Sequence, residues 1–572
     1  MKILFYHYES KLEAHQLYDG FSVYAKYTVL YLKTYLEIKK PDIASQVEWC
    51  IPQQLKLSDD ELIDLINKEK PDLFCTTHYV WNYQLILAQL ERIRYRVDSN
   101  ILFITGGPSV DVNIDPDYFK KYSFVDYAFY GSGEKAFAKF LECLIENKPL
   151  EQSAITNTAW PDSNRKAIVA EYEYVPQLKI SPYLHNRDFL REMTDSLHQQ
   201  KVNSIMSYEL TRGCPYTCTF CDWNSGFGNK TTRRKESYKD EIDLFQELGL
   251  TGIFLSDANL GQYQEDLDMV KYFAGKNINE GVGFSLDYTV SKLRKENNLI
   301  IFHDMAKANL CPRFVISVQD SNRQILENID RPDVGWEVHT SHIRELYENY
   351  PHIPAVIQLI QGLPGQTPES WRATLAEVTA EDNVTPLIYV NEVLSASPAG
   401  RSQEYKDKWQ YVYSYAERWD YMAKDLFQSP FAMSCVSFTE NNFVEMTLLS
   451  LIYSSVKYHI VNVVGREFRQ VKFNVERIVD EFMTSDIYFR LKDNLLTNWL
   501  EQNKFYWTVD SSGIHVTEPF TACSMPLCNL VHDLRNHKSF LQWTIKGLSP
   551  TTQNKKEYAR YVFDKIQAQN EQ

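Results

Sequence analysis

Two separate stretches of the sequence alternate short apolar segments with longer periodic ones, and this alternation restricts the fold more than any other feature. In the first stretch, strand-like segments and helical periodicity alternate, with strands at residues 2–8, 46–51, 72–77, 100–105 and 127–130 and helices at 21–38, 59–68 and 83–96. Alternation of this kind predicts parallel strands joined by crossover helices. We therefore expect an α/β, doubly wound (Rossmann-like) domain over residues 1–150.

The second alternation begins after residues 151–200, a proline-containing stretch that we interpret as a linker. Further strand-like segments follow, separated by helical stretches, at residues 205–210, 252–256, 283–286, 311–318, 355–360 and 387–390. Repeated strand and helix units predict a complete or partial TIM-like barrel over residues 201–405. Aromatic helical patterns at 409–427 and 443–458 then predict a mainly helical C-terminal domain over residues 406–572.

The charge and hydropathy of the chain exclude some classes of partner. The sequence has 60 Lys and Arg against 75 Asp and Glu, a net charge of -15, which disfavours nucleic acid as a ligand. It has no uninterrupted apolar window of about 18 residues and no signal-peptide pattern at its start. These features predict a cytoplasmic protein without a membrane partner.

Three of the 10 cysteines lie in one short loop after a predicted strand, in the segment Thr211-Arg212-Gly213-Cys214-Pro215-Tyr216-Thr217-Cys218-Thr219-Phe220-Cys221. Three thiolates at the spacing C-x3-C-x2-C can bind three irons of a cubane cluster and leave the fourth iron open. A structural zinc site is the alternative. Zinc normally needs a fourth protein ligand, and neither Asp222 nor a nearby histidine offers one.

This cysteine loop, with Phe220 just before the third cysteine, resembles the signature of the radical S-adenosylmethionine (SAM) superfamily. The resemblance implies that Cys214, Cys218 and Cys221 hold a 4Fe-4S cluster whose open iron binds SAM. It also implies reductive cleavage of SAM to a 5′-deoxyadenosyl radical, with the electron supplied by a donor such as flavodoxin or ferredoxin. The residues that it marks as candidate cofactor contacts are Phe220, Asp257, Asn259, Ser317 and Gln319. Ser285 and Asp287, at another predicted strand end, could line the same cofactor pocket.

One further segment of the barrel, Gln361 to Thr367, resembles the G-L-P-G-E-T turn of the same superfamily, with Gln366 in place of the usual acid. That replacement weakens any carboxylate role at this position. A turn made by Pro364 and Gly365 is the favoured interpretation of the segment.

The first domain resembles the cobalamin-binding domain that precedes the barrel in one branch of the superfamily. The matching features are the turns Gly106-Gly107-Pro108 and Gly131-Ser132-Gly133-Glu134 and the barrel entry Ser181-Pro182-Tyr183-Leu184. Ligands of open α/β sheets bind at the carboxyl ends of strands, so Gly106, Gly107, Gly131 and Gly133 are candidate cofactor contacts. The D-x-H-x-x-G motif that supplies an axial histidine to cobalt is absent, which leaves cobalamin binding open.

Three functions follow from these patterns, and the sequence leaves the choice open. The first is an L-to-D epimerase that acts on an unactivated carbon of a ribosomal peptide, with the Cys435 thiol as hydrogen donor, an arrangement similar to proteusin-type peptide epimerases. The second is a cobalamin-dependent C-methyltransferase for a peptide or small-molecule substrate. The third is a non-catalytic peptide-binding protein. We place the epimerase slightly ahead, and interpret Cys523 and Cys528 as ordinary thiols, because two cysteines are too few for an auxiliary cluster.

Overall fold

The structure is a computed structural model. It describes residues 1–516 apart from residues 11, 14–20, 80, 112–113, 151–152, 224–229, 235–237, 291–294, 395, 421–424, 459–474, 485–487, 490–506 and 511–512. Cys523 and Cys528 lie outside the described residues.

The first domain is built on a mixed sheet with strand order β10-β9-β8-β7-β6-β1-β4, in which β5 also pairs with β1. Its strands are β1 (Lys2–Glu9), β4 (Glu48–Trp49), β5 (Gln53–Leu55), β6 (Leu73–Thr77), β7 (Leu102–Gly106), β8 (Tyr127–Phe129), β9 (Thr158–Pro161) and β10 (Ala167–Val169). Its helices are α1 (Thr28–Lys39), α2 (Pro41–Ala44), α3 (Asp59–Glu69), α4 (Tyr83–Ile93), α5 (Tyr118–Lys121) and α6 (Glu134–Ile145), with a 3-10 turn at Arg94–Arg96. The predicted Rossmann-like α/β fold is confirmed.

Alternate side chains of β1 explain why this sheet has helices on both faces. Ile3 and Phe5 belong to one buried cluster with Phe137 of α6, whereas Leu4 and Tyr6 belong to a separate cluster on the other face. A strand that is buried on both faces has to be apolar at nearly every position, as parallel strands are. The last two strands, β9 and β10, are antiparallel, and they extend the first sheet to residue 169, into the stretch predicted as a linker.

The second domain is an open barrel of two curved sheets, with strand orders β15-β14-β11-β3-β2 and β16-β17-β18. Its strands are β11 (Val202–Tyr208), β14 (Gly252–Leu255), β15 (Ser285–Asp287), β16 (Phe314–Gln319), β17 (Ala355–Gln361) and β18 (Val384–Val390), with a small hairpin of β12 (Thr211–Arg212) and β13 (Thr232–Arg233). Its helices are α7 (Pro182–His185), α8 (Arg187–Gln199), α9 (Tyr238–Glu247), α10 (Gln264–Glu280), α11 (Lys295–Lys307), α12 (Arg323–Asn328), α13 (Trp336–Asn349) and α14 (Pro368–Ala380). The predicted partial barrel is present.

One strand of the barrel comes from the amino-terminal end of the chain. Strands β2 (Leu12–Glu13) and β3 (Phe21–Ala25) leave the first sheet after β1, and β3 pairs in parallel with β11. The expectation of one helical run over residues 21–38 was therefore wrong at its start, where only residues from Thr28 onward are helical. Residues 21–25 form a strand of the barrel sheet. Their pairing with β11 cannot be predicted from the local apolar pattern.

The segment after the barrel is less helical than predicted. It contains α15 (Pro398–Arg401), α16 (Gln403–Trp409), a hairpin of β19 (Val412–Asp420) and β20 (Asp425–Ser434), α17 (Glu440–Tyr458), α18 (Val475–Met483) and a second hairpin of β21 (Trp507–Asp510) and β22 (Gly513–Val516). The helix expected at 409–427 is wrong, because aromatic and β-branched residues fit a paired strand as well as a helix. The helix expected at 443–458 is confirmed by α17. Among the described residues, no helix is both long and apolar enough to cross a bilayer.

Candidate active site

The cysteine loop follows β12 at the carboxyl end of β11, and backbone hydrogen bonds fix it to the barrel. The amide of Thr219 donates to the carbonyl of Ile329 at 2.9 Å, and its carbonyl accepts from the amide of Ala399 at 2.8 Å. The side chains of Cys214 and Cys218 are buried and that of Cys221 is half-buried. The loop is therefore held in place by two distant parts of the chain, independently of its thiols.

Phe220 contributes to this anchoring through its ring. It packs against the small apolar cluster that contains Ile325, Ile329 and Leu363. The structure thus gives the aromatic residue before the third cysteine a packing contact with the loop that follows β17. A direct contact with a cofactor stays a prediction.

Asp257 braces the start of the cysteine loop. Its Oδ1 accepts a hydrogen bond from the amide of Leu210 at 2.8 Å, and its Oδ2 lies 3.8 Å from Nη1 of Arg233. Burial raises the pKa of the Asp257 carboxyl to about 7, while hydrogen bonds from the amides of Thr211 and Leu210 and the charge of Arg233 oppose that rise. These contacts make Asp257 a support for the loop backbone.

Asn259 reaches the cysteines directly. Its Nδ2 donates to Sγ of Cys214 at 3.2 Å, and its buried Oδ1 has no partner among the described residues. A buried amide oxygen without a hydrogen bond costs about 1–3 kcal/mol. Such a group beside the proposed cluster ligand is suited to accept a hydrogen bond from a bound molecule.

Gln319 is a second polar side chain of this kind. It has a positive φ of 74°, which is strained for a residue other than glycine, and its Oε1 is buried without a partner in the described part of the chain. Ser317, two residues earlier, instead donates to Oε1 of Gln358, and its carbonyl accepts from Arg331. Of the two candidates on β16, Gln319 is the one with spare hydrogen-bonding capacity.

Ser285 lies elsewhere. It begins β15 and pairs with Gly252, the first residue of β14, so it is at the amino end of the strands. Its hydroxyl lies 3.4 Å from the carbonyl of Thr251. The expectation that Ser285 stands at a carboxyl strand end beside Asp287 is thus corrected, and we leave it out of the site.

The turn around Gln366 has a structural explanation that the sequence did not provide. Its Oε1 accepts from the amides of Gly362 and Leu363, at 2.7 and 3.0 Å, and its Nε2 donates to Oδ2 of Asp320 at 2.7 Å. An ionised carboxylate at this position could accept from the two amides but could not donate to Asp320. The amide of Gln366 is therefore suited to a position beside the buried carboxylate of Asp320.

The glycine turns of the first domain lie together at the carboxyl edge of its sheet. Gly107 has a φ of +114°, and a Cβ there would lie 2.6 Å from the carbonyl oxygen of His78 on the neighbouring turn, whereas Gly106 would meet only ordinary contacts. Gly131 has a φ of +63°, and Gly133 precedes α6. Glycine is required at Gly107 by backbone conformation and by the close approach of His78.

Two polar groups at this edge are buried without partners among the described residues, Nε2 of His7 and Oγ of Ser132. Burial lowers the pKa of His7 to about 3, and Nδ1 of His7 lies 2.8 Å from the hydroxyl of Thr77, so the ring is neutral. Cobalamin carries many amide groups, which need hydrogen-bond partners of this kind. The first-domain edge therefore fits that cofactor.

The cysteine loop fits a cubane cluster. Among the described residues, no three His, Cys, Asp or Glu side chains converge on a point that could hold a single metal ion. A cubane does not require such a point, because each cysteine binds a different iron.

An ion pair that the sequence analysis missed joins the two proposed cofactor regions. Arg212, two residues before Cys214, lies 2.7 Å from Glu134, which follows the second glycine turn, and 2.9 Å from Glu209. All three side chains are buried, and the guanidinium also lies over the ring of Tyr31. Arg212 is part of the cysteine segment, and Glu134 is part of the second glycine turn. Their opposite charges were the feature of the sequence from which this ion pair could have been predicted.

Cys435 lies near the cysteine loop, and Tyr405 connects the two. Its Sγ is 3.1 Å from Oγ of Ser437, and the hydroxyl of Tyr405 accepts from Thr219 of the loop at 3.0 Å. Burial raises the pKa of Tyr405, and the neighbouring Cys435 contributes in the same direction. The thiol is therefore on the same side of the barrel as the three cysteines.

Comparison with known proteins gives a family match, and the similar curated proteins include two methyltransferases. The model of the Radical SAM superfamily matches residues 208–378. The cobalamin-dependent radical SAM methyltransferase TokK of Streptomyces tokunonensis is 27% identical over 375 residues, 64% of this chain and 53% of TokK. The 2-(S-pantetheinyl)-carbapenam-3-carboxylate methyltransferase of Streptantibioticus cattleyicolor is 26% identical over 357 residues, 62% of this chain and 51% of that enzyme. The chain spans about half the length of these relatives.

A solved structure has a similar fold. The cobalamin-dependent SAM radical enzyme OxsB, with aqua-cobalamin and SAM bound, matches with a TM-score of 0.52 at 13% identity, covering 100% of this chain and 80% of OxsB. At this identity the likeness concerns the fold alone.

Proposed function

We propose that this chain is a cobalamin-dependent radical SAM methyltransferase that methylates a carbon atom of a small molecule. The two relatives above are methyltransferases by name, and this supports methyl transfer over epimerisation, reversing the order that the sequence favoured. A peptide substrate and an electron donor such as flavodoxin or ferredoxin remain proposals.

The observation that carries the proposal is the Arg212–Glu134 ion pair. It fastens the glycine turn at the carboxyl edge of the first sheet to the strand that leads into the cysteine loop. Methyl transfer from a cobalt centre to a carbon radical requires the two cofactor edges to face each other. A first domain that served only as a scaffold would not need this orientation.

Each cofactor has named candidate residues. We assign the cluster to Cys214, Cys218 and Cys221, SAM to Asn259 and Gln319, and cobalamin to the edge formed by Gly107, Gly131, His7 and Ser132. When bound, these groups would supply a 5′-deoxyadenosyl radical and a transferable methyl group. The chain itself would fix the loop through Asp257 and keep His7 neutral.

Epimerisation is the second candidate, favoured by the position of Cys435. A thiol on the cluster side of the barrel could return a hydrogen atom to a substrate radical. The contact with Ser437 is equally consistent with a packed, half-buried thiol.

The test begins with anaerobic reconstitution of the full chain with iron, sulfide and cobalamin, followed by cobalt and iron analysis after desalting. We expect about one cobalt and about four irons per chain, and transfer of label from methyl-labelled SAM to a carbon of an accepted small molecule. Iron without cobalt would reject methyl transfer.

The Cys435→Ala variant separates the two candidates. Methyl transfer predicts unchanged label incorporation in this variant, whereas epimerisation predicts loss of activity and, in the unmodified protein, uptake of deuterium from solvent-exchanged thiols. Deuterium uptake that depends on Cys435 would favour the epimerase.

A further inference from the structure

The inner wall of the barrel carries an exposed aromatic side chain that the proposed chemistry does not use. On β14, Ile253 and Leu255 are buried against the helices, at 0% and 3% exposure, whereas Phe254 between them is 37% exposed. Successive side chains of a strand point to opposite faces. Phe254 therefore faces the concave side of the sheet, into the lumen.

Tyr24 of β3 meets Phe254 on that face. The two rings lie 5.2 Å apart, and the Tyr24 hydroxyl donates to Oδ2 of Asp287 on β15 at 2.9 Å. Strands β3 and β15 are separated by two others, about 14 Å in a flat sheet at the usual strand spacing. The contact can form only across the hollow of a curved sheet, so these three side chains meet inside the barrel.

The opposite wall repeats the combination of an aromatic ring and a polar group. Tyr389 on β18 is 46% exposed, and Nε2 of Gln358 on β17 lies 3.5 Å from its hydroxyl. Large aromatic side chains remain exposed in the lumen only where it is open. Each of the two sheets thus carries an exposed aromatic side chain next to a polar group.

Asp287 gives this space a negative charge. It accepts a hydrogen bond from the neutral phenol of Tyr24. Among the described residues, no cation pairs with Asp287. A half-buried carboxylate beside aromatic faces is an environment that favours an ammonium group.

We propose that the Tyr24–Phe254–Asp287 cluster binds the ammonium group of an amine substrate whose adjoining part is apolar or aromatic. Asp287 pairs with the charge, Tyr24 holds the carboxylate in place, and Phe254 covers the neighbouring carbon atoms. This inference rests on the proposed function for its meaning, since it names the substrate class. It also gives β3 a function, because this strand, from the amino-terminal part of the chain, contributes Tyr24 to the wall of the proposed site.

The test compares three probes that share one ring: tyramine, neutral 4-ethylphenol and anionic 3-(4-hydroxyphenyl)propionate. Each is titrated calorimetrically into the anaerobic, cluster-reconstituted full chain. We expect the cation to bind best and the anion worst. In Asp287→Asn the advantage of tyramine over 4-ethylphenol falls by about tenfold or more, the usual range for a charged hydrogen bond, and in Tyr24→Phe it falls by a smaller factor.

Matched controls and a SAM titration complete the test. Asp64→Asn removes an exposed carboxylate on α3 and keeps the preference for tyramine, and thermal midpoints show that each variant is folded. The proposal is overturned if tyramine binds no better than 4-ethylphenol, or if Asp287→Asn weakens SAM binding instead, which would assign the carboxylate to the cofactor. A chain that takes up no cobalt but prefers tyramine would reject methyl transfer and leave this inference standing.

Discussion

The guanidinium of Arg212 lies 2.7 Å from the carboxylate of Glu134, and this buried pair spans the boundary between the two domains. One partner begins α6 of the first domain, and the other stands two residues before the first cysteine of the loop. The pair therefore links the second glycine turn of the first sheet to the strand that precedes the cysteine loop.

Glu134→Gln should lower the stability of the chain, because it leaves Arg212 buried with only Glu209 as a counter-charge. Loss of one member of a buried pair costs about 3–5 kcal/mol, and we expect the lower end because Glu209 remains. The thermal midpoint measures the effect. The control is Glu173→Gln, which breaks the more exposed pair with Lys135 and should cost less than about 1 kcal/mol; equal losses would contradict the prediction.

Gly107→Ala should abolish cobalamin uptake while leaving the cluster intact. The new Cβ would lie 2.6 Å from the His78 carbonyl oxygen at a φ of +114°, so the turn has to move. Cobalt and iron analysis after reconstitution measures the two cofactors separately. Gly106→Ala is the matched control, since its Cβ would make only ordinary contacts at 3.5 Å and beyond. Normal cobalt content in Gly107→Ala would disprove the assignment.

Asn259→Leu should lower the reduction potential of the cluster. Removal of the hydrogen bond from Nδ2 to Sγ of Cys214 withdraws a dipole that stabilises the added electron. A hydrogen bond worth about 0.5–1.5 kcal/mol corresponds to roughly 20–60 mV for one electron. A redox titration followed by electron paramagnetic resonance measures the shift, and an unchanged or raised potential would show that the contact does not act on the cluster.

The sequence predicted the two α/β units and the cysteine loop because both depend on local patterns. Strand and helix alternation identified β1, β6 and β7, and the motif spacing identified Cys214, Cys218 and Cys221. In contrast, β3 pairs with a strand about 180 positions later in the chain. Nothing within residues 21–25 specifies that partner, so the strand was merged with the following helix.

The roles within the site were harder to predict for a related reason. Asp257 and Asn259 are two residues apart at one strand end, yet one binds backbone amides and the other a cysteine sulfur. The direction in which each side chain points decides between these roles, and that direction cannot be predicted from the sequence. Tyr24 and Asp287 illustrate the same limit, since only the curvature of the sheet brings them together.

Gln366→Glu should destabilise the chain at high pH and much less at low pH. Burial already raises the pKa of Asp320 to about 6, so the folded state holds its proton longer than the unfolded state does. Stability from this group is therefore lost as pH rises from about 4 to 6. A second carboxylate in place of the Nε2 donor would add repulsion, raise the pKa of the pair further, and extend the loss to higher pH.

Unfolding midpoints at pH 5.5 and pH 8 measure this difference between the variant and the unmodified chain. We expect a loss of about 3–5 kcal/mol at pH 8, the usual cost of an uncompensated buried charge, and partial recovery at pH 5.5, where the two acids can share a proton. Gln324→Glu on the exposed face of α12 is the control and should show little change at either pH. A loss in Gln366→Glu that did not depend on pH would mean that Gln366 acts through shape and not through its contact with Asp320.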